Sequence, residues 1–166
     1  MEQLRARTAT PGLPDPAKAR TLSGLEFLQA IVSGEISDPP IARTLDYFLH
    51  EVERGRAVFQ GMPGFSHYNP IAVIHGGWHG TLLDSAMACS IQTLCEVGRS
   101  YTTLEYKINC VRPLTEATGP VRAEGKVVSS GRRVATAEGR LVDAEGKLYS
   151  HGTTTCMLFD LPAGRS

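Results

Sequence analysis

From His75 to Cys95 the chain reads His-Gly-Gly-Trp-His-Gly-Thr-Leu-Leu-Asp-Ser-Ala-Met-Ala-Cys-Ser-Ile-Gln-Thr-Leu-Cys, and Asp84 is its only Asp, Glu, Lys or Arg. Leu82, Leu83, Ala86, Met87, Ala88, Ile91 and Leu94 recur at helical spacing and leave little polar face. That pattern predicts a helix buried on nearly every side. After it the period shortens from about 3.6 to 2. Thr103, Glu105, Lys107 and Asn109 alternate with Leu104, Tyr106, Ile108 and Cys110, as in a half-buried strand that Arg112-Pro113 ends. Val121–Ser129 and Arg133–Val142 read as two further strands around a Ser130-Gly131-Arg132 turn. A turn over Asp143–Gly146 leads into a last strand from Lys147 to Phe159.

Ahead of the helix the pattern is weaker. Residues 1–22 carry three prolines and little periodicity, and are expected to form a flexible N-terminal arm. Ser23–Gly34 reads as a helix, with Ser23 as N-cap, Glu26 three residues later as in a capping box, and Gly34 as its end. Pro39-Pro40 argues against helix, and Ile41–Phe59 reads as two strands with a turn near Gly55. A helix this apolar needs cover, and a curved antiparallel sheet around it provides that within one domain. The expected organisation is α+β: the arm, a single domain over 23–160, and a short tail over 161–166.

Composition narrows the function classes. At 166 residues the chain is long enough for one good core. Lys plus Arg equals Asp plus Glu at 17 each, so bulk charge favours neither nucleic acid nor an anionic membrane. No apolar run reaches spanning length, and the first residues lack the apolar core of a secretory signal. The four cysteines, Cys89, Cys95, Cys110 and Cys156, form no Cys-x-x-Cys pair and read as small buried hydrophobes in a reducing cytoplasm.

The chemistry concentrates around Asp84. Burying a carboxylate costs several kcal/mol unless it is paired or neutralised. A structural account would make Asp84 a cap or a salt-bridge partner; a functional one would make it a reactive group. Asn69 precedes Pro70, Gly76-Gly77 opens the helix, and Asp84 lies nine residues after His75. Glycines admit close approach to the backbone, and free N–H groups at a helix start polarise an acyl oxygen. Asn69 can hold a water or the carbonyl. A carboxylate can act as general base on water or as a nucleophile through an anhydride. Together these suit hydrolysis of an activated acyl group. His75 and His79 are four apart, as in a zinc pair, but no Glu follows the first and no third ligand stands out, so no metal or redox cofactor is expected.

Asn69-Pro70, His75-Gly76-Gly77 and Leu83-Asp84-Ser85-Ala86, in this order and spacing, resemble the acyl-CoA thioesterases of the hot-dog fold, in particular the phenylacetate-pathway branch. The resemblance runs from about Ser23 to Leu158 and takes in the Gly131-Arg132-Arg133 turn. It implies a long central helix wrapped by a curved antiparallel β-sheet, with an extra N-terminal helix. It makes Asp84 the base or nucleophile and the Gly77 N–H the carbonyl's partner, with His75 and Gly76 shaping the helix start and Asn69 placing water or substrate. Thr103, or Thr102 one residue earlier, would stand beside the acid. Gly131, Arg132 and Arg133 would be either solvated turn residues or contacts to the phosphates of CoA. CoA would be part of the substrate rather than a cofactor, and a homodimer or a dimer of dimers would share active sites between chains. A hydratase or dehydratase of enoyl or 3-hydroxyacyl thioesters is the enzymatic rival, though the Gly-x-x-Pro-Gly element of dehydratases does not follow His75. A non-catalytic acyl-CoA-binding protein is the third reading.

Overall fold

The computed structural model describes residues 1–7 and 11–162. Where a loose arm was expected, the N-terminal segment carries two short helices, α1 (Glu2–Arg7) and α2 (Pro16–Ala19). α1 is docked: Arg5 pairs with Asp46, and Arg7 pairs with the buried Asp38 while also donating to the Leu49 carbonyl at 2.7 Å. Paired arginines spread along the chain carry no periodic signal, which is why the segment reads as structureless. Residues 8–10 of the arm and 163–166 of the tail lie outside the described residues.

α3 (Gly24–Ser33) starts as the capping box requires, with Ser23 and Glu26 bonded reciprocally, and stops at Gly34 in the left-handed region, φ 82°. α4 (Pro40–Leu45) corrects the expectation of strand from Ile41. Pro40 occupies the first helical position, where its missing N–H is an orphan anyway, so the Pro-Pro pair starts a helix instead of forbidding one. The two strands follow later, as β1 (Tyr47–Glu53) and β2 (Arg56–Gly61).

α5 (Gly76–Gln92) is the long central helix. Leu82, Leu83, Ala86, Met87 and Ile91 are fully buried on it. The remaining strands are β3 (Arg99–Cys110), β4 (Val121–Ser130), β5 (Val134–Asp143) and β6 (Leu148–Asp160). They form one six-stranded antiparallel sheet in the order β1-β2-β4-β5-β6-β3. The sheet closes tightly on α5: a Cβ on Gly125 of β4 would stand 2.2 Å from the Ala86 carbonyl oxygen. Register shifts in β1, β3, β4 and near the start of β6 bend the strands around the helix.

The shift in β3 lies between Thr103 and Glu105 and changes which face each residue takes. Before it the odd residues face inward: Thr103 meets Asp84. After it the even ones do: the Tyr106 hydroxyl lies 3.3 Å from where a Cβ on Gly80 would stand. The single alternating phase expected over 103–110 is therefore two phases joined at Leu104. No helix among the described residues is long and apolar enough to cross a membrane.

Candidate functional site

Asp84 sits halfway along α5, half-buried, where the helix passes under β3. The Thr103 hydroxyl donates to its Oδ1 at 3.1 Å. Among the described residues no cation forms an ion pair with it, and a mid-helix position cannot cap. The structural account of this acid, as a cap or salt-bridge partner, is therefore not met. Burial raises its pKa above the ordinary 3.8, and the Thr103 bond opposes that only in part. Of the two candidate threonines, Thr103 touches the acid, while Thr102 is exposed on the other side of the strand.

Asp84 opens on a cavity of about 280 Å³. Beside it stand Ser85, whose Oγ lies 3.1 Å from the Tyr47 hydroxyl, and Thr103. The rest of the wall is mostly apolar and comes from Gly12 and Pro14, α3, the 36–42 segment, β1, β2, α5 and Tyr101 of β3. Tyr47 and the α3 residues carry no polar motif, so sequence reasoning missed them; Ser85, directly after the acid, was the one available signal.

The helix start forms a second cluster. His75 is the N-cap, and its Nδ1 accepts the Gly77 N–H at 2.8 Å. As an acceptor, Nδ1 leaves Nε2 as the ring's donor position. In this arrangement the Gly77 N–H, expected to polarise the carbonyl, is engaged by the preceding side chain. A Cβ on Gly77 would come within 2.9 Å of His75 Nδ1, so the glycine is explained by this cap. Gly76 has no such explanation. Its N–H meets no acceptor among the described residues, and the nearest atom to a Cβ there would be Cys110 Sγ at 3.8 Å. Gly76 is thus the open approach to the helix start.

Asn69 lines the same depression as Gly76, together with His79 and Cys110. Its Oδ1 accepts the Ile71 and Val73 N–H groups at 3.1 and 3.3 Å, which leaves the amide nitrogen as its outward donor. His79 is buried, with Nδ1 2.7 Å from Ser150 Oγ, and burial lowers its pKa to about 4, so it is neutral near pH 7. No group of three or more His, Cys, Asp or Glu among the described residues is placed to hold a metal.

The structure therefore brings Asp84 to Thr103, and Asn69 to Gly76, but keeps the two clusters in separate depressions. Asp84 and Gly76 are eight residues apart on one helix, roughly 12 Å at 1.5 Å per residue. The cysteines divide. Burial pushes Cys89 up to about 12 and raises Cys95 and Cys156, which makes them unreactive packing groups. Cys110 corrects the expectation that all four are buried: it is exposed near the end of β3. At the β4–β5 turn, the Gly131 N–H donates to the Val134 carbonyl, and Arg132 and Arg133 are exposed beside Arg99 and Phe159. Neither arginine is ion-paired among the described residues.

Residues 72–150 match the thioesterase superfamily. A protein of Saccharolobus solfataricus, provisionally named an esterase, is 29% identical over 87 residues, 52% of this chain and 56% of that protein. The chain's match thus spans little more than half the length of that curated relative. Among solved structures, a Ralstonia eutropha JMP134 phenylacetic acid degradation-related protein, provisionally named a thioesterase, is 28% identical with a TM-score of 0.71, over 78% of this chain and 98% of that one. A point mutant of the phenylacetic acid degradation protein PaaI from Thermus thermophilus is 29% identical with a TM-score of 0.65, over 71% of this chain and 97% of that one. With the wrapped central helix, the sheet order and these matches together, the chain has the hot-dog thioesterase fold and resembles the thioesterase superfamily over residues 72–150.

Proposed function

We propose that the protein is an acyl-CoA thioesterase, cleaving an acyl- or aryl-CoA thioester to the free acid and CoA. The observation that carries this reading is Asp84: an acid held half-buried in the wall of a mostly apolar cavity, hydrogen-bonded by Thr103 and without a counter-cation among the described residues. A water attacks the thioester carbonyl carbon while the Asp84 carboxylate takes its proton. The tetrahedral oxyanion is stabilised by the Gly76 N–H at the positive end of α5, with the Asn69 amide placing water or substrate. Collapse breaks the C–S bond, and the proton on Asp84 passes to the departing CoA thiolate. Attack by Asp84 itself, through an anhydride that water then opens, uses the same groups.

One chain does not present both halves to one carbonyl, since a base must stand about 3 Å from its water and the water about 3 Å from the carbon. A second copy resolves this. β3 is one of the two edge strands of the sheet and carries Leu104 and Tyr106, 57% and 45% exposed. Two β3 edges joined about a two-fold axis would set Asp84 of one copy against Gly76 of the other and give two equivalent sites. A dimer of dimers would be built from such pairs. The unbridged cysteines fit a reducing cytoplasm. Arg132 and Arg133, exposed and without an ion pair among the described residues, suit the phosphates of the CoA nucleotide.

The test is release of free thiol from acyl-CoAs by wild type and Asp84→Asn. The amide keeps the shape and can still accept from Thr103, but it is neither basic nor nucleophilic. Turnover should fall by about 10²- to 10⁴-fold, the worth of a positioned base. Wild-type rates from the folded Asn variant would remove Asp84 from the chemistry.

A further inference from the structure

The cavity at Asp84 has a second wall that the superfamily match does not include. That match begins at residue 72. Leu28 and Ile31 of α3 and Ile41 of α4 line the cavity together with Asp84. This wall is fastened at three places. The Gly24 N–H donates to the Cys95 carbonyl at 2.8 Å, which latches the start of α3 to the chain just beyond α5. Gly24 lies so close to α5 that a Cβ there would fall 1.9 Å from the Gln92 carbonyl oxygen. Arg7 holds Asp38, and Arg5 holds Asp46, on either side of α4.

We infer that this N-terminal wall closes the acyl end of the site and sets its substrate class: linear aliphatic acyl-CoAs of medium chain length. The inference rests on the thioesterase reading for where the carbonyl lies, and on the cavity for what lies beyond it. The polar groups Asp84, Ser85 and Thr103 stand together, and the chain beyond them meets mostly carbon from Leu28, Ile31 and Ile41. A thioester placed at Asp84 therefore directs its acyl group toward α3. At about 280 Å³ the cavity is at the small end of ligand pockets, which run roughly 300–1,000 Å³. A methylene is nearly the size of a water, and at about 30 Å³ each the space takes roughly nine heavy atoms, a carbonyl oxygen and a chain on the order of eight carbons. A much longer chain would have to displace the fastened wall. A much shorter one would leave apolar surface uncovered.

Non-hydrolysable acyl-CoA thioethers from two to fourteen carbons, titrated by calorimetry into the full-length protein, test the inference without relying on turnover. Affinity should tighten about fourfold per methylene, the transfer of one CH2 into an apolar site, and stop improving near eight carbons. Ile31→Trp should lower the octyl-to-ethyl affinity ratio at least tenfold and move the optimum to shorter chains. Ile41→Trp, at a half-exposed position that accepts size without refolding the core, should do the same, and near-UV circular dichroism reports whether each variant is folded. Affinity independent of chain length in wild type would overturn the inference. So would an unchanged ratio in folded Ile41→Trp, or tighter binding of a phenylacetyl-sized thioether than of the octyl one. Chain-length-dependent binding without hydrolysis of any acyl-CoA would uphold the pocket and overturn the thioesterase reading. Hydrolysis with flat binding would do the reverse.

Discussion

Ionised Asp84 is held at a cost. Its folded-state pKa lies above the ordinary 3.8 because burial penalises the charge. The folded protein therefore keeps the proton to higher pH than the unfolded chain does. Stability contributed by the protonated acid is full below 3.8 and is lost as pH rises through the folded value. Asp84→Asn should then melt above wild type at pH 7, with the difference shrinking as pH falls toward 3.8, as followed by thermal unfolding across pH. A variant that melts lower at pH 7 would mean the carboxylate is stabilising. At the β4–β5 turn the effect should appear in binding. Arg132→Ala and Arg133→Ala should raise KM for acyl-CoA more than they lower kcat, and leave acyl-pantetheine hydrolysis nearly as it was, because phosphate contacts far from the carbonyl contribute uniform binding. Equal losses on both substrates would place the arginines elsewhere.

At the scale of elements, the sheet depends on close approach to α5. Gly125→Ala would force β4 away from the Ala86 carbonyl, a backbone clash that no rotamer relieves. It should cost about 1–3 kcal/mol in denaturant unfolding, the usual penalty of overpacking. A stability equal to wild type would show that the sheet has slack there. The long helix, the capped α3 and the turns at 130–132 and 143–146 were legible in the sequence because each has a local cause: an apolar period, a capping residue, or a turn glycine. α4 was not, since Pro-Pro is compatible with a helix start as well as with a break. Nor was the β3 bulge, which is set by the curvature of the whole sheet. Its effect is to let Thr103 face Asp84 while Tyr106 reaches the same helix three residues on. The site was legible as a set of residue types and spacings around Asp84. The His75 bond to the Gly77 N–H was not, because a histidine N-cap has no strong sequence signature and the choice between two adjacent glycines depends on ring placement.

For the whole molecule, the separation of Asp84 from Gly76 along one straight helix decides the account. The fold presents the acid and the open helix start in separate depressions, with β3 at one edge of the sheet, so the proposed reading requires two chains for each site. The most direct test mixes two inactive variants. Asp84→Asn removes the base. Gly76→Pro removes the helix-start N–H, and proline is suited to a first helical position after the extended His75, φ −60° and ψ 136°. Co-refolded in equal amounts, half the dimers should be mixed, each with one intact and one doubly damaged site, and about a quarter of wild-type thioesterase activity should return. No recovered activity from mixed dimers shown to be folded and exchanged, or full activity from a wild-type monomer, would contradict the shared site.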